Sequence, residues 1–484
     1  MERLNEALQN LCRESGSTNT ALARYAQIDR PTLVHILAGR RLPTPPALER
    51  LLLALQATPE QRRQILALYE DEKTDPVTRR QRACILEMLR QIFHTREGFE
   101  SPYPEATSGT FVPQETVSHL NGERQIIWAL GSMLRRYCAD AGTEPLMIPP
   151  GLGEKWLRAL ANLLVGLPGS GTIWQLSTFA KRSVGGDATV YNLKHLSMAV
   201  PFAHLENIRY EICFSYTQAY ERVPGALLCA YLLFPDALFI ISQSDRLATI
   251  IRDPEMVDNC RKQFTKDFRQ AHSYLSVAAQ EKNGARSIIT CSSEIDRQQR
   301  PTWLLRREPS LLTTVDEEIV RDYVVLPEEE REELMQLIHG RLAEIAMTDL
   351  TCFCVEDGIR EFAQTGRIRE VPESIYRPLE PAVRYRMLDR LIRLSESGRH
   401  PIYLLNAPDL VPPPETYFTA AEGVGIYFYL YCGNEGFKIL RFTEQGTNEA
   451  FCDFFRSLPN SPYCMSKEES LTILRRWRDT LPKA

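Results

Sequence analysis

The sequence lacks the long apolar runs that membrane-spanning segments need. Its apolar stretches, such as residues 226–234, are far shorter than the roughly 20 residues that cross a bilayer. Charged residues also stand near the N-terminus, where a signal peptide has an apolar stretch. We therefore expect a cytoplasmic protein with no membrane partner.

The sequence also lacks paired cysteine motifs, although it contains 12 cysteines. Cys352 and Cys354 form one closely spaced pair, but no second pair follows to complete a zinc site. We predict no metal and no cofactor. The cysteines are expected to be reduced thiols in the core, since cysteine is among the most readily buried residue types.

An excess of positive charge is absent as well. The 484 residues include 57 basic and 62 acidic side chains, giving a formal net charge of −5. A chain with this balance does not bind nucleic acid through bulk electrostatics. Any surface that attracts a polyanion must be local. The length and the 44% hydrophobic composition indicate a globular protein of two to four domains.

Residues 20–55 carry the one specific functional signal in the sequence. Two short helical patterns occur here, with apolar positions at Leu22, Ala23 and Ala26 and then at Leu33, Ile36 and Leu37. Asp29 is placed to cap the second helix, Pro31 is tolerated in its first turn, and Gly39 suits a left-handed end. The spacing predicts a helix-turn-helix.

This stretch resembles the phage-repressor (Cro-like) helix-turn-helix family over roughly the first 70 residues. The matching positions are Ala23, Ile28, Leu33, Ile36, Gly39, Arg40, Arg41, Pro43, Leu48, Leu51 and Leu52. Gln27 departs from the family, which usually has glycine at this turn position. A left-handed residue other than glycine costs roughly 1 kcal/mol there, which the fold can absorb.

The resemblance implies sequence-specific binding of double-stranded DNA. The residues expected to enter the major groove are Arg30, Pro31, Thr32, Val34 and His35, and those expected to contact phosphates are Thr20, Arg40 and Arg41. Residues 1–70 contain nine arginines and seven acidic side chains, a net charge of +2. Because this bias is weak, we expect a homodimer that reads two half-sites.

Helical patterns continue on both sides of this motif. An apolar helix beginning at Leu4 is expected to precede it, Thr44 to cap a following helix, and Thr58 with Gln61 to form a capping box. We assign residues 1–73 to this domain and residues 74–124 to a helical linker and loop. The apolar stripe from Ile85 to Phe93 has two interpretations that the sequence favours equally: a dimer contact, or packing on the next domain.

The remaining sequence predicts a larger α/β region with a mixed sheet. Strands are expected at 172–177, 208–216, 226–234, 237–243 and 247–252, and again at 350–355, 402–406, 424–431 and 437–442. A helix rich in phenylalanine follows each series, the second one starting at Thr447. This order predicts an internal duplication, with halves at 125–300 and 301–484. The predicted fold class is therefore multidomain, an all-α domain before a duplicated α/β region.

The duplicated layout resembles the phospholipase D fold, in which two copies share a cleft. That resemblance implies catalysis by a His-x-Lys motif, because one imidazole attacks phosphorus and the other protonates the leaving group. None of the eight histidines is followed two residues later by lysine. We therefore expect no enzymatic activity, and a C-terminal region that binds a small-molecule effector of unknown identity or mediates assembly.

Two further patterns have a functional and a structural interpretation. Residues 166–172 have the glycine spacing of a phosphate loop but lack its lysine, so we expect an ordinary turn. Tyr427, Tyr429 and Tyr431 share one strand face, which could stack on a ring, although a half-buried face is the commoner case. The leading hypothesis is a DNA-binding transcriptional regulator. The alternatives are a phosphodiesterase that a DNA-binding domain delivers to DNA, and a protein-assembly module.

Overall fold

Six helices form the N-terminal part of the chain. The computed structural model describes residues 3–98, 115–140, 144–165, 167–181, 188–203, 205, 208–217, 229–242, 244–278, 294–345, 347–371, 373–414, 416–431 and 437–483. The helices are α1 (Leu4–Glu14), α2 (Asn19–Tyr25), α3 (Arg30–Leu37), α4 (Pro45–Ala54), α5 (Pro59–Lys73) and α6 (Pro76–Gly98).

The first five helices enclose one small apolar core. The predicted leucine and alanine stripes are buried together in it, with Ile65 and Tyr69 of α5 closing one side. Thr58 and Gln61 form the expected capping box, with backbone-to-side-chain distances of 3.0 and 3.2 Å. Thr44 precedes α4 as predicted, but its hydroxyl makes no capping hydrogen bond with the described residues.

The rest of the chain alternates strands and helices. Its first part contains β1 (Val117–Asn121), α7 (Glu123–Ala139), β2 (Leu146–Ile148), α8 (Glu154–Leu164), β3 (Gly171–Ala180), α9 (Ala188–Ala203), β4 (Ile208–Thr217), β5 (Cys229–Leu233), β6 (Leu238–Ser242), β7 (Leu247–Ile251), α10 (Pro254–Gln270) and β8 (His272–Ala278). Its second part contains β9 (Thr302–Leu305), α11 (Glu317–Tyr323), α12 (Glu328–Ile345), β10 (Leu350–Cys354), α13 (Glu356–Thr365), α14 (Pro381–Glu396), β11 (Ile402–Leu404), β12 (Thr416–Ala421), β13 (Gly425–Tyr431), β14 (Phe437–Phe442), α15 (Gln445–Ser457) and α16 (Lys467–Asp479).

The sheet contains the same strand order twice. Its described strands follow the order β1-β7-β6-β5-β2-β3-β4-β8-β14-β13-β12-β9-β10-β11. Strands β2-β3-β4 are parallel and β5-β6-β7 antiparallel, and β9-β10-β11 and β12-β13-β14 repeat both arrangements. The predicted internal repeat is therefore present in the topology. Strand β8 pairs with both β4 and β14 and joins the two repeats into one sheet.

The two faces of this sheet are covered differently. One face carries a single large apolar core that side chains of both repeats share, and we call it the shared core; Ile173, Phe179, Phe353 and Phe428 are among them. The opposite face carries separate clusters, one under α10 in the first repeat and one under α11–α14 and α16 in the second. The molecule is thus layered helix, sheet and helix over most of its described length.

Helix α6 belongs to the shared core. Ile85 and Leu89 are fully buried there, and the helix packs against α9 of the first repeat and α15 of the second. The stripe from Ile85 to Phe93 therefore packs on the α/β region. Of the two alternatives, dimerisation and packing on the next domain, the structure shows the second. Strand β1 of the same predicted linker segment pairs with β7 at the sheet edge. The domain boundaries themselves stay a prediction.

Several expectations for the α/β region need correction. Strands β1, β2, β8, β9 and β12 were not predicted. Every residue of β2, β9 and β12 is buried, so these strands lack an alternating pattern. Helix α15 begins at Gln445 and not at Thr447, since Glu444 caps it by accepting from the Gly446 and Thr447 N–H groups. Within the part of the chain described, no helix has the length and hydropathy to cross a membrane.

Replacing Ile85 by alanine should lower the free energy of unfolding of the α/β region by about 2–5 kcal/mol, because the cavity left in the shared core cannot close fully. The five tryptophans all follow residue 124, so their fluorescence during denaturant unfolding reports on this region alone. Glu87→Ala, on the exposed side of the same helix, is the control and should change little. An unchanged midpoint for Ile85→Ala would show that α6 only links the two parts.

Candidate nucleic-acid interface

Helices α2 and α3 form the predicted pair around a tight turn. The Asp29 carboxylate accepts a hydrogen bond from the Thr32 N–H at 3.0 Å, so it caps α3 as expected. Pro31 lies in the first turn of α3. Gly39 has a φ of 69° after the last turn, and a Cβ there would lie 3.1 Å from Asn5 Cγ.

Gln27 adopts the left-handed backbone that the turn requires. Its φ is 53°, and the Ile28 N–H donates to the Ala23 carbonyl at 2.9 Å while the Gln27 N–H donates to Arg24. These two hydrogen bonds define a Schellman motif, in which the left-handed position usually belongs to glycine. The turn therefore has the usual Schellman hydrogen bonds, but a residue other than glycine occupies its left-handed position and carries backbone strain.

Helix α3 separates its apolar and polar faces sharply. Leu33, Ile36 and Leu37 are buried against the domain core, whereas Val34 is 44% exposed. Thr20 is exposed on α2. The other predicted contact residues lie on or after α3 and are exposed or, for Thr32, half-buried: Arg30, Pro31, Thr32, His35, Arg40 and Arg41. The structure thus leaves all eight predicted residues accessible to some degree. Their roles at DNA stay a prediction.

The arginines of this surface differ from those of α5 in their pairing. Arg24, Arg30, Arg40 and Arg41 form no ion pair with the described residues, whereas Arg62 and Arg63 of α5 pair with carboxylates. The side chain and N–H of Thr32 hydrogen-bond Asp29 and lower the pKa of its carboxyl group, with a further contribution from Arg41. Asp29 therefore stays ionised at neutral pH, and the surface keeps a net positive charge around it.

Two features of α2 were missed from the sequence. The helix begins at Asn19 and is capped by Thr18, whose hydroxyl accepts from the Ala21 N–H at 3.3 Å. Thr20 is thus the second residue of the helix and does not begin it. Tyr25, at the end of α2, is 74% exposed beside the turn. The cap could have been found from Thr18, since threonine favours this position; no pattern marked Tyr25.

The N-terminal residues match a known family. A family described as "Helix-turn-helix domain" matches residues 3–65, the stretch that contains α1 to α4 and the first part of α5. Residues 3–65 form a helix-turn-helix domain. The match ends well before the α/β region, so it says nothing about the family of that region.

Comparisons of the whole chain show little. No curated protein matches it. The phosphatidylserine synthase of Haemophilus influenzae Rd KW20 is 10% identical, over 81% of this chain and 97% of its own, with a TM-score of 0.24. TrmBL2, an archaeal chromatin protein, is 10% identical, over 55% and 97%, with a TM-score of 0.21. Such low scores carry no argument about fold or function, so the resemblance to phospholipase D stays a hypothesis.

The other patterns singled out in the sequence are structural where they are described. Gly169 has a φ of 101°, and its turn lies so close to the Cys138 carbonyl that a Cβ would clash with it. Gly166 lies outside the described residues. Tyr427 and Tyr429 are buried with Ile295 and Ile439, so their rings are not available for stacking on a base. The side chain of Tyr431 is not among those described.

Replacing Gln27 by glycine should stabilise the helix-turn-helix domain by about 0.5–1 kcal/mol, because glycine adopts a positive φ without strain. Amide hydrogen exchange within residues 19–37 of the full chain should then slow by about two- to fivefold. Ala38→Gly provides the control. Ala38 has a φ of −80°, so glycine relieves no strain there and exchange should not slow. Equal slowing in both variants would contradict a strained turn.

Proposed function

We propose that this chain is a sequence-specific DNA-binding transcriptional regulator. The helix-turn-helix domain supports a DNA-binding regulator. The observation that carries the finer proposal is the outer face of α3, where Arg30, Val34 and His35 are accessible. Arg24, Arg40 and Arg41 lie on or just after the same two helices, and none of these four arginines forms an ion pair with the described residues. A helix that exposes polar and apolar side chains next to guanidinium groups suits the major groove, whose base edges offer acceptors and thymine methyl groups.

The contacts divide into two kinds in this proposal. Arg30, Pro31, Thr32, Val34 and His35 read base edges, because they lie at the start and on the outer face of α3. Thr20, Arg40 and Arg41 flank that helix and contact phosphates, which fixes the register. The domain has a weak net charge, so affinity from one copy is modest. The working form is accordingly a homodimer on two half-sites about 34–36 Å apart.

We propose that the α/β region determines when the chain binds DNA, because it senses a small-molecule effector or mediates assembly. We also propose that it has no catalytic activity. The direct packing of α6 into the shared core supports a sensing role, since α5 ends at Lys73 and α6 begins at Pro76. Only a short segment therefore separates the helix-turn-helix domain from a helix that contacts both repeats.

Retention of random genomic fragments by the purified full chain tests this proposal. We expect one enriched motif, arranged as two inverted half-sites about ten base pairs apart, and an affinity that falls steeply with salt. Retention without any enriched motif would show that the chain binds DNA non-specifically and would contradict the sequence-specific part of the proposal. If no fragment is retained at low salt, the proposal is wrong and the assembly module becomes the better hypothesis.

Arg30→Ala and Arg41→Ala should have opposite signatures on an enriched site. Loss of a base-reading side chain should cost about 1–3 kcal/mol on that site and relax the preference at one position. Loss of a phosphate contact should weaken binding to every sequence equally and reduce the salt slope by about 1 for each half-site. Arg13→Ala, at an exposed position of α1 outside the helix-turn-helix pair, serves as the control. Exchanged signatures would reverse the two assigned roles.

A further inference from the structure

The two repeats begin with equivalent strands that have different surroundings. Strand β1 pairs antiparallel with β7, the last strand of its repeat, and β8 pairs antiparallel with β14 in the same way. On its other side, β8 pairs antiparallel with β4. Strand β1 instead stands at the end of the order of described strands, so its outer side forms an edge of the sheet. The molecule thus shows, at β8, that this position accepts an antiparallel strand.

The backbone of β1 directs one row of polar groups to that edge. The Arg252 N–H of the neighbouring chain segment donates to the Thr116 carbonyl, so the even-numbered residues face β7. By the alternation of an antiparallel ladder, Val117, His119 and Asn121 direct their N–H and C=O groups outward. These groups are the ones that a further strand would bind.

Strand β1 lacks the features that usually keep sheet edges from pairing. Natural edge strands are protected by charged side chains, by proline or by a covering segment. The sequence of β1, Val-Ser-His-Leu-Asn, contains no acidic residue, lysine, arginine or proline. The Gln125 side chain covers one outward group by accepting from the Asn121 N–H at 2.9 Å. The described residues supply no partner for the others.

The opposite edge of the sheet is closed by the chain itself. The Leu404 N–H of β11 donates to Ser470 Oγ at 2.9 Å, and the Leu404 carbonyl accepts from the Met465 N–H at 2.8 Å. The Asn406 N–H, just beyond β11, donates to the Tyr463 carbonyl at 3.0 Å. Copies therefore cannot join β1 to β11 in an open chain. Pairing of β1 with β1 stays possible, and it closes after two subunits because identical antiparallel strands are related by a two-fold axis.

Helix α7 adds an exposed aromatic side chain to the same edge. Trp128 is 39% exposed and lies three residues after Gln125, on the same side of α7. The helix begins two residues after β1 and packs back on β1 and β7. Five helical residues rise about 7.5 Å, and two strand residues span about 6.8 Å, so Trp128 is about level with His119. Exposed tryptophans of this kind commonly anchor protein interfaces.

These positions select one register for the pair. With His119 opposite its own copy, Val117 faces Asn121 of the partner subunit, and the two outward rows form roughly six hydrogen bonds once Gln125 releases its donor. The same register brings the two Trp128 side chains together across the axis, where an aromatic pair is favourable.

Charges beside the strand match in this register. Glu115 before β1 and Arg124 in the first turn of α7 are exposed, and neither forms an ion pair with the described residues. Glu123, between them in space, is already balanced by Lys155 at 2.9 Å. Because the strands are antiparallel, Glu115 comes near Arg124 of the partner subunit, and this contact occurs twice.

We propose that the outer edge of β1 pairs antiparallel with β1 of a second copy of this chain, with His119 at the two-fold axis and Trp128 packed across it. The two first repeats, of seven strands each, would then lie between the second repeats, which the helix-turn-helix domains contact through Arg63 and Glu469. At about 4.8 Å per strand this separation is roughly 65 Å, farther than adjacent half-sites.

The β1 contact is therefore separate from a dimer that reads two adjacent half-sites. It joins chains that occupy separate DNA sites, and this last step rests on the proposed function. The pairing itself does not depend on DNA.

Sedimentation of the full chain without DNA, over a series of concentrations, tests the pairing. We expect an equilibrium of monomer and dimer. His119→Lys and His119→Glu each place two like charges opposite one another at the axis, so each should weaken the dimer by about fivefold or more. An equimolar mixture of the two variants should recover the dimer, because the lysine of one copy then faces the glutamate of the other.

Leu247→Lys is the matched control for the added charge. Leu247 is 53% exposed opposite Asn121, one strand further from the axis on the same sheet face. The two introduced charges lie at least about 14 Å apart and are largely screened, so the dimer should be unchanged. A wild type that stays monomeric at every concentration shows that the proposal is wrong. Two weakened variants that do not recover in the mixture would overturn His119 as the centre.

His119→Pro tests the backbone part of the contact. The substitution removes the outward N–H at the axis and no hydrogen bond to β7, so an edge strand tolerates it. Loss of two hydrogen bonds per dimer should weaken pairing by about 10-fold or more. An unchanged unfolding midpoint by tryptophan fluorescence verifies that the variant folds. Undiminished dimerisation of the folded variant would place the contact elsewhere and overturn the assignment.

DNA capture separates this proposal from the proposed function. A chain that dimerises but retains no DNA fragment supports the β1 contact and refutes the DNA-binding role. If both hold, the wild type on an immobilised enriched site should capture a second, free copy of that fragment. His119→Lys should bind the immobilised site equally well and capture much less. A wild type that dimerises and binds DNA without capturing a second fragment would overturn the joining of separate sites alone.

Discussion

The burial of α6 is the contact on which the arrangement of this chain depends. Its apolar stripe from Ile85 to Phe93 lies in the core that both repeats share. Each large apolar side chain buried there contributes about 1.5–3 kcal/mol, so the stripe as a whole outweighs any single polar contact of the helix. Because α5 and α6 are separated by two residues, this burial also fixes where the helix-turn-helix domain can lie.

Polar contacts define the orientation of that domain more than its stability. Arg63 of α5 pairs with Glu469 of α16 at 2.6 Å, and Arg82 of α6 forms a two-pronged contact with Asp453 of α15 at 2.8 and 3.2 Å. These side chains are partly exposed, and such pairs contribute about 0–1 kcal/mol each. Their value lies in geometry, since each pair joins the N-terminal helices to the second repeat at a defined place.

Local features could be predicted from the sequence and distant pairings could not. The caps at Asp29 and Thr58 and the left-handed Gln27 depend on neighbours within a few positions, so spacing alone indicates them. An apolar stripe does not identify its partner, which is why the packing of α6 stayed open. Arg306 and Glu370 are 64 positions apart, and no periodicity links them. The outer face of α3 was predictable for the same local reason.

The second repeat and the helix-turn-helix domain are connected through α16. Its buried residues Leu471 and Leu474 belong to the apolar cluster of the second repeat, while Glu469 in its first turn pairs with Arg63 of α5. Close-packed cores tend to move between discrete arrangements, so a shift of α16 within the second repeat would move the carboxylate that holds α5. This pair is partly exposed and contributes about 0–1 kcal/mol, so coupling through it alone is limited to that size. Any stronger coupling to the helix-turn-helix domain must pass through α6, which is buried in the shared core.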